Sequence, residues 1–174
     1  IDYKDFSAEE ERKHIKKAID IHKTLTGSVP IGWYVGRTSP NTRNILLDEV
    51  PEILYDADSY ADDLPYWVEG IKNKPHLIIP YSLDVNDMRF ASFQGFNSGE
   101  QFFQYCKDAF DVLYEEGNQS PKMMSIGLHC RLIGRPGRTA ALLKFLNYIK
   151  NKERVWVSKR IDIAHHWYEF HSLD

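Results

Sequence analysis

Two cysteines, Cys106 and Cys130, are all that this 174-residue chain holds, and their separation fits neither a metal-ligand spacing nor a disulfide framework. Two free thiols in a reducing compartment follow, and a cytoplasmic location is expected. Long apolar runs are missing too. The stretch LIIPY at 77–81 is among the most apolar, far short of the roughly 20 residues that cross a bilayer as a helix. The start, IDYKDFSAEEERKH, has neither the charge order nor the apolar segment of a signal peptide. Nor is there an excess of one charge: 22 basic against 25 acidic residues give a net −3. That argues against a basic face for nucleic acid and an acidic tail for a basic partner. Internal repeats and low-complexity segments are absent.

What remains is 43% hydrophobic and suits one domain with a sizeable core. The first residue is Ile1 rather than Met, just ahead of a helix, so further sequence is expected upstream.

Ser7 and Glu10 form a capping box, Ile15, Ala18, Ile19, His22 and Leu25 keep helical spacing, and Gly27 closes the pattern. This predicts a helix over 8–25. IGWYVG at 31–36 reads as a strand, and Ser39 with Pro40 as the start of a helix running to Glu49. EILYDADS at 52–59 and HLIIPYS at 76–82 read as strands, the second apolar enough for burial on both faces. The aromatic segment between them reads as irregular. Ser98 caps a helix that turns Phe102, Phe103, Cys106, Ala109, Phe110 and Leu113 toward a core and stops at Gly117. KMMSIGLH at 122–129 predicts a fourth strand followed by a helix over about 138–150, and RVWVSKR at 154–160 a fifth. Strands alternating with helices specify βαβ units and a parallel sheet, open or closed into a barrel.

In such folds ligands gather where strands end. The strand exits here carry Arg37; Asp56 and Asp58; Tyr81 with Asp84, Asn86 and Asp87; His129 with Arg131; and Lys159 with Arg160. A lone histidine is often a part-buried group satisfied by a backbone carbonyl. His129, following SIGL and facing carboxylates from another strand end, instead fits a general acid or base. Arg37 stands between Gly36 and a helix start, where a guanidinium can hold a carboxylate or substrate oxygen bidentately. Strand alternation would give Asp56 and Asp58 one face. The acidic run they open lacks the glycine and the final glutamate of a calcium loop, and GRPGR at 134–138 lacks the ending of a phosphate loop. His165, His166 and His171 read as a solvated helix end, and Trp156, Trp167, Phe102, Phe103 and Phe110 as core.

The blocks GWYVGRTSPNT, LYDADSYADDLPYW, PYSLDVNDMRF and MMSIGLHCRLIGRPGR resemble the NodB-type polysaccharide deacetylase superfamily. The closest likeness is to its cofactor-independent allantoinase branch, also described as chitin-deacetylase-like or urate catabolism proteins, and it extends over essentially the whole chain. The resemblance implies an irregular (β/α) barrel, incomplete here at about five βα units, that hydrolyses a C–N amide-type bond. It implies that His129 protonates the leaving nitrogen, that Asp58, or Asp56 in an alternative register, tunes His129, and that Arg37 orients the catalytic carboxylate. Asp56, Tyr81, Asp84, Asn86 and Arg131 are then candidates for binding substrate. The superfamily's first motif, which supplies the base and a metal ligand, and its histidine-bearing second motif are absent from these residues and expected upstream. No cofactor is expected in this chain, with zinc possible if those ligands exist. A small ureide substrate and a homo-oligomer are the expected partners. A metal-dependent polysaccharide deacetylase and a non-catalytic scaffold are the rival readings.

Overall fold

A computed structural model describes residues 1–71 and 74–173. The chain divides into two compact units, one of Ile1–Pro80 with the segment from Ser158, the other Tyr81–Val157.

In the first unit α1 spans Ala8–Thr26. The capping box is present, with the Ser7 side chain accepting from the Glu10 N–H, and Gly27 ends the helix in the left-handed region at φ 81°. Ile15 and Ile19 are buried, whereas Leu25, on the same predicted stripe, is 79% exposed. The sheet contains β1 (Gly32–Trp33), β2 (Tyr55–Asp56), β3 (Tyr66–Glu69) and β4 (Pro75–Ile78), in the order β1-β2-β4-β3. β1, β2 and β4 run parallel, with Trp33 opposite Asp56 and Asp56 opposite Ile78. β3 is antiparallel to β4 and was read as irregular; its YWVE sequence has the aromatic and β-branched character of a strand. The sheet is open, so the parallel α/β expectation holds without barrel closure. The α2 helix (Thr42–Glu49) starts later than Ser39 predicted, with Asn41 at its N-cap; the Ser39 hydroxyl donates to Glu11 and accepts the Asn41 N–H at 2.9 Å. Ile15, Ile19, Ile45, Leu46, Val50 and Ile53 pack as one core.

The C-terminal helix α6 (Arg160–Phe170) is fastened to the same unit. Tyr168 donates to the Leu54 carbonyl at 3.0 Å, Trp67 Nε1 to the His171 carbonyl at 2.6 Å, and Arg160 to the carbonyls of Ile79 and Pro80 at 2.7 and 3.1 Å. Arg160 thus serves the end of β4. His165, His166 and His171 are exposed, as expected.

The second unit is mostly helical: a 3₁₀ turn at Asp87–Phe90, α3 (Gly99–Glu116), α4 (Cys130–Ile133) and α5 (Pro136–Ile149). The two segments read as further strands form no ladder. Gly127 makes only a parallel bridge to Asn86, Arg154 stands in a turn at φ 57°, and 155–157 joins no strand, with Trp156 and Val157 exposed, which removes Trp156 from the expected core. Phe102, Phe103, Cys106 and Phe110 of α3 are buried against Ala141 and Phe145 of α5. The helices approach closely at Gly99, where a Cβ would lie 2.7 Å from the Gly137 carbonyl. Burial and the nearby negative charge of Asp84 push the Cys106 thiol up to about 12, so it packs as a small apolar group. Among the described residues no helix is long and apolar enough to cross a membrane.

Phe145 is 1% exposed at the centre of the α3–α5 contact, whereas Leu143 is 54% exposed on the same helix. Urea denaturation should show Phe145→Ala losing about 3–5 kcal/mol and Leu143→Ala within about 0.5 kcal/mol of wild type.

Candidate active site

His129 is the N-cap residue of α4, in extended conformation, where the chain leaves the Gly127–Asn86 bridge. Asp87 opens the 3₁₀ turn and is fully buried. One oxygen of its carboxylate accepts the main-chain N–H groups of His129 at 2.8 Å and Ile133 at 3.0 Å. The other meets His129 Nδ1 at 2.6 Å. An oxygen that can only accept fixes the ring with its proton on Nδ1, leaving Nε2 bare in the neutral form. Nε2 makes no hydrogen bond among the described residues, and the side chain keeps 28% of its surface open. The imidazole is therefore held by one nitrogen and available at the other, the arrangement a proton-transferring histidine needs.

Around this pair the Tyr81 hydroxyl accepts from Asn86 Nδ2 at 3.0 Å, and Asn86 Oδ1 accepts the Met88 N–H at 2.8 Å. A Cβ at Gly127 would lie 2.3 Å from both Asn86 Nδ2 and the Tyr81 hydroxyl. Only glycine lets the strand carrying His129 run so close. The structure thus brings Tyr81, Asn86, Asp87 and His129 together. Asp84 stands apart, exposed and accepting from the Tyr105 hydroxyl at 2.5 Å. Arg131 is exposed on α4. Of the other arginines downstream, Arg135 is exposed, while Arg138 lies over the Phe90 ring at 4.4 Å and donates to the Leu132 carbonyl.

Arg37, Asp56 and Asp58 belong to the first unit. Asp56, expected to contact substrate, is 2% exposed. Its Oδ2 accepts from Arg43 Nε at 2.7 Å and lies 3.1 Å from His76 Nε2, while Oδ1 accepts the Asp58 N–H at 3.0 Å. Burial alone would raise its pKa. The hydrogen bonds of His76 and Arg43 with their charges outweigh burial and hold the carboxyl below its ordinary value. Asp58 shares no strand face with Asp56, because β2 ends at Asp56. Its carboxylate accepts the Val35 N–H, 3.0 Å from each oxygen, and the Gly36 N–H at 2.6 Å. Burial raises its pKa more than those bonds lower it, and nearby Asp56 adds to the rise. The carboxylate that orients His129 is accordingly Asp87, where the resemblance implied Asp58. A guanidinium also sits on the strand-end carboxylate of Asp56, that of Arg43. Arg37 is exposed and makes no ion pair or hydrogen bond through its side chain among the described residues.

Asp87 was visible among the strand-end residues but carried no signal of its role, since its partner lies 42 positions away. His76 and Arg43 were missed: one sits inside a strand that reads as wholly apolar, the other in mid-helix. No group of three or more His, Cys, Asp or Glu that could hold a metal ion occurs among the described residues.

The first unit is an open, parallel-dominated sheet with helices, and in the second the buried Asp87 holds the part-exposed His129. No protein-family model matches the chain. A Schizosaccharomyces pombe protein whose name places it among the polysaccharide deacetylases is 46% identical over 182 residues, covering 96% of this chain and 57% of that protein. The crystal structure of a Pseudomonas aeruginosa protein, likewise named for polysaccharide deacetylases, superposes with TM-score 0.93 at 59% identity. That of PuuE allantoinase superposes at 0.92 and 57%, each match covering 98% of this chain and 57% of the other. A Mycobacterium smegmatis structure at TM-score 0.78 and 22% identity shares the fold. The chain is a homologue of the polysaccharide deacetylases, with their NodB-like fold, and spans 57% of the length of these relatives.

Since the folded Asp56 pKa is depressed, its contribution to stability is present above the ordinary carboxylate value, about 3.9, and is lost as pH falls through the lower folded value. Asp56→Asn should therefore be less stable than wild type at neutral pH, with the gap narrowing in acid. Denaturation midpoints followed from pH 7 downward check this; a gap that widens in acid contradicts it.

Proposed function

We propose that the protein containing this chain hydrolyses a C–N bond of amide type, and that its substrate is a small cyclic ureide, as in the opening of allantoin to allantoate. The Asp87–His129 pair carries the reading, supported by the 57% identity to PuuE allantoinase. Water adds to the carbonyl carbon as Nε2 of the neutral His129 takes its proton, forming a C–O bond, a tetrahedral oxyanion and an imidazolium. The C–N bond then breaks as His129, protonated on both nitrogens, gives its Nε2 proton to the departing nitrogen. Asp87 keeps the ring aimed throughout and stabilises the charged imidazolium through Nδ1–H. Donors placed at the developing oxyanion supply the largest part of such a rate enhancement. Arg37, from its place between Gly36 and the start of α2, engages a carboxylate or substrate oxygen, for which an exposed guanidinium with no side-chain partner among the described residues is suited. Tyr81, Asn86 and Arg131 lie near His129 in the fold and sequence, where they can contact the rest of a polar substrate.

A second reading, N-deacetylation of a polysaccharide, is favoured by the names of the fission yeast and Pseudomonas relatives. The same proton transfer serves it, because an N-acetyl group also loses an amine. Assays of the intact protein on allantoin and on chitin oligomers, with its zinc content measured, separate the two: turnover of allantoin alone supports the ureide, and turnover of the oligomers alone the deacetylase.

On either substrate His129→Ala should lower kcat by about 10² to 10⁴ in protein shown to be folded by circular dichroism. Unchanged turnover would remove His129 from the mechanism.

A further inference from the structure

The loop after β1 presents Arg37 and is fastened at every step by groups that no mechanism above employs. Its Val35 and Gly36 N–H groups donate to Asp58, and Gly36 takes φ 76°, a conformation that favours glycine. The Arg37 carbonyl accepts the Tyr3 N–H at 3.2 Å. Beyond Arg37, the Ser39 hydroxyl donates to Glu11 Oε2 at 2.5 Å and the Thr42 hydroxyl to Glu11 Oε1. Thr42 Oγ1 in turn accepts the Ser39 N–H at 2.8 Å. Glu11 comes from α1 and is 0% exposed, a burial that carboxylates rarely tolerate without a partner. Among the described residues those two hydroxyls are its side-chain hydrogen-bond partners, and no cation pairs with it.

A buried carboxylate satisfied by neutral hydroxyls is a costly way to join two helices, since apolar packing of equal volume would serve stability as well or better. What the carboxylate adds is direction. The N-terminus of α2 has no acidic residue in its first turn, and Asn41 makes no side-chain cap. Glu11 places a carboxylate beside this turn and holds both hydroxyls, while the Ser39 hydroxyl also accepts the Asn41 N–H at 2.9 Å, which pins the residues immediately after Arg37. The backbone on either side of Arg37 is thus fixed while its guanidinium is left unengaged.

We propose that Glu11 is a positioning residue: acting through Thr42 and Ser39 on one side of Arg37, as Asp58 acts on the other, it holds the guanidinium ready for a substrate oxygen. This rests on the role proposed for Arg37 above.

The test uses the intact protein with allantoin as probe. Thr42→Val removes the hydroxyl at nearly constant volume and should raise KM about tenfold with kcat within about twofold. Thr42→Ser, which keeps the hydroxyl, should restore wild-type KM. In an Arg37→Ala background Thr42→Val should add nothing. Equal impairment by Thr42→Ser, or a full multiplicative effect in the Arg37→Ala background, would overturn the proposal. Amide hydrogen exchange at Gly36 and at Tyr3, whose N–H donates to the Arg37 carbonyl, needs no turnover: Thr42→Val and Glu11→Gln should each speed it at least tenfold, and unchanged protection in both would sink the brace. Wild-type protein inactive on allantoin would overturn the substrate assignment alone, leaving exchange to decide the positioning.

Discussion

One carboxylate, that of Asp87, organises its whole neighbourhood. Burying it demands acceptor-saturating geometry, and three donors provide this: two main-chain N–H groups at the start of α4 and the Nδ1–H of His129. The bonds therefore do two things together. They anchor the first turn of a helix only four residues long, too short to hold its own direction, and they fix the face and tautomer of the imidazole. The Gly127 approach to Asn86 and Tyr81 belongs to the same constraint, because any side chain there would push the His129 segment away from the 3₁₀ turn.

The first unit repeats the device with different consequences. Asp56 is as buried as Asp87, but a guanidinium, an imidazole and a main-chain N–H consume its oxygens, and its histidine partner is sealed at 2% exposure. Two Asp–His pairs, alike in chemistry, thus differ in accessibility: His76 stabilises a strand end, whereas His129 has an open nitrogen. Exposure separates scaffold from reactive group here more sharply than residue type does.

Much of this was legible in the sequence. The α1 caps, the α3 stripe of Phe102, Phe103, Cys106 and Phe110, and the parallel strands leading to Arg37 and Asp56 follow from local rules of capping and periodicity. The reading failed where long-range partners decide. IGLH and RVWV have strand composition but meet no ladder: the first makes a single bridge through Gly127, and the second begins in a turn at Arg154. YWVE pairs antiparallel with β4 although Pro and acidic residues precede it. The Asp–His assignment was beyond periodicity altogether. Asp56, Asp58 and Asp87 all stand at strand ends, and nothing local tells which one reaches His129. The blocks that resemble the deacetylases marked His129 as a candidate and left its carboxylate to be found by geometry.

The account turns on the Nδ1–H bond from His129 to Asp87. Long-range ¹H–¹⁵N correlation on histidine-labelled intact protein, at a pH where the ring is neutral, reads that bond directly. The prediction is a His129 signal of the Nδ1–H form with unprotonated Nε2, a preference lost in Asp87→Ala. A neutral ring protonated on Nε2 in the wild-type protein would contradict the arrangement on which the proposed proton transfer depends.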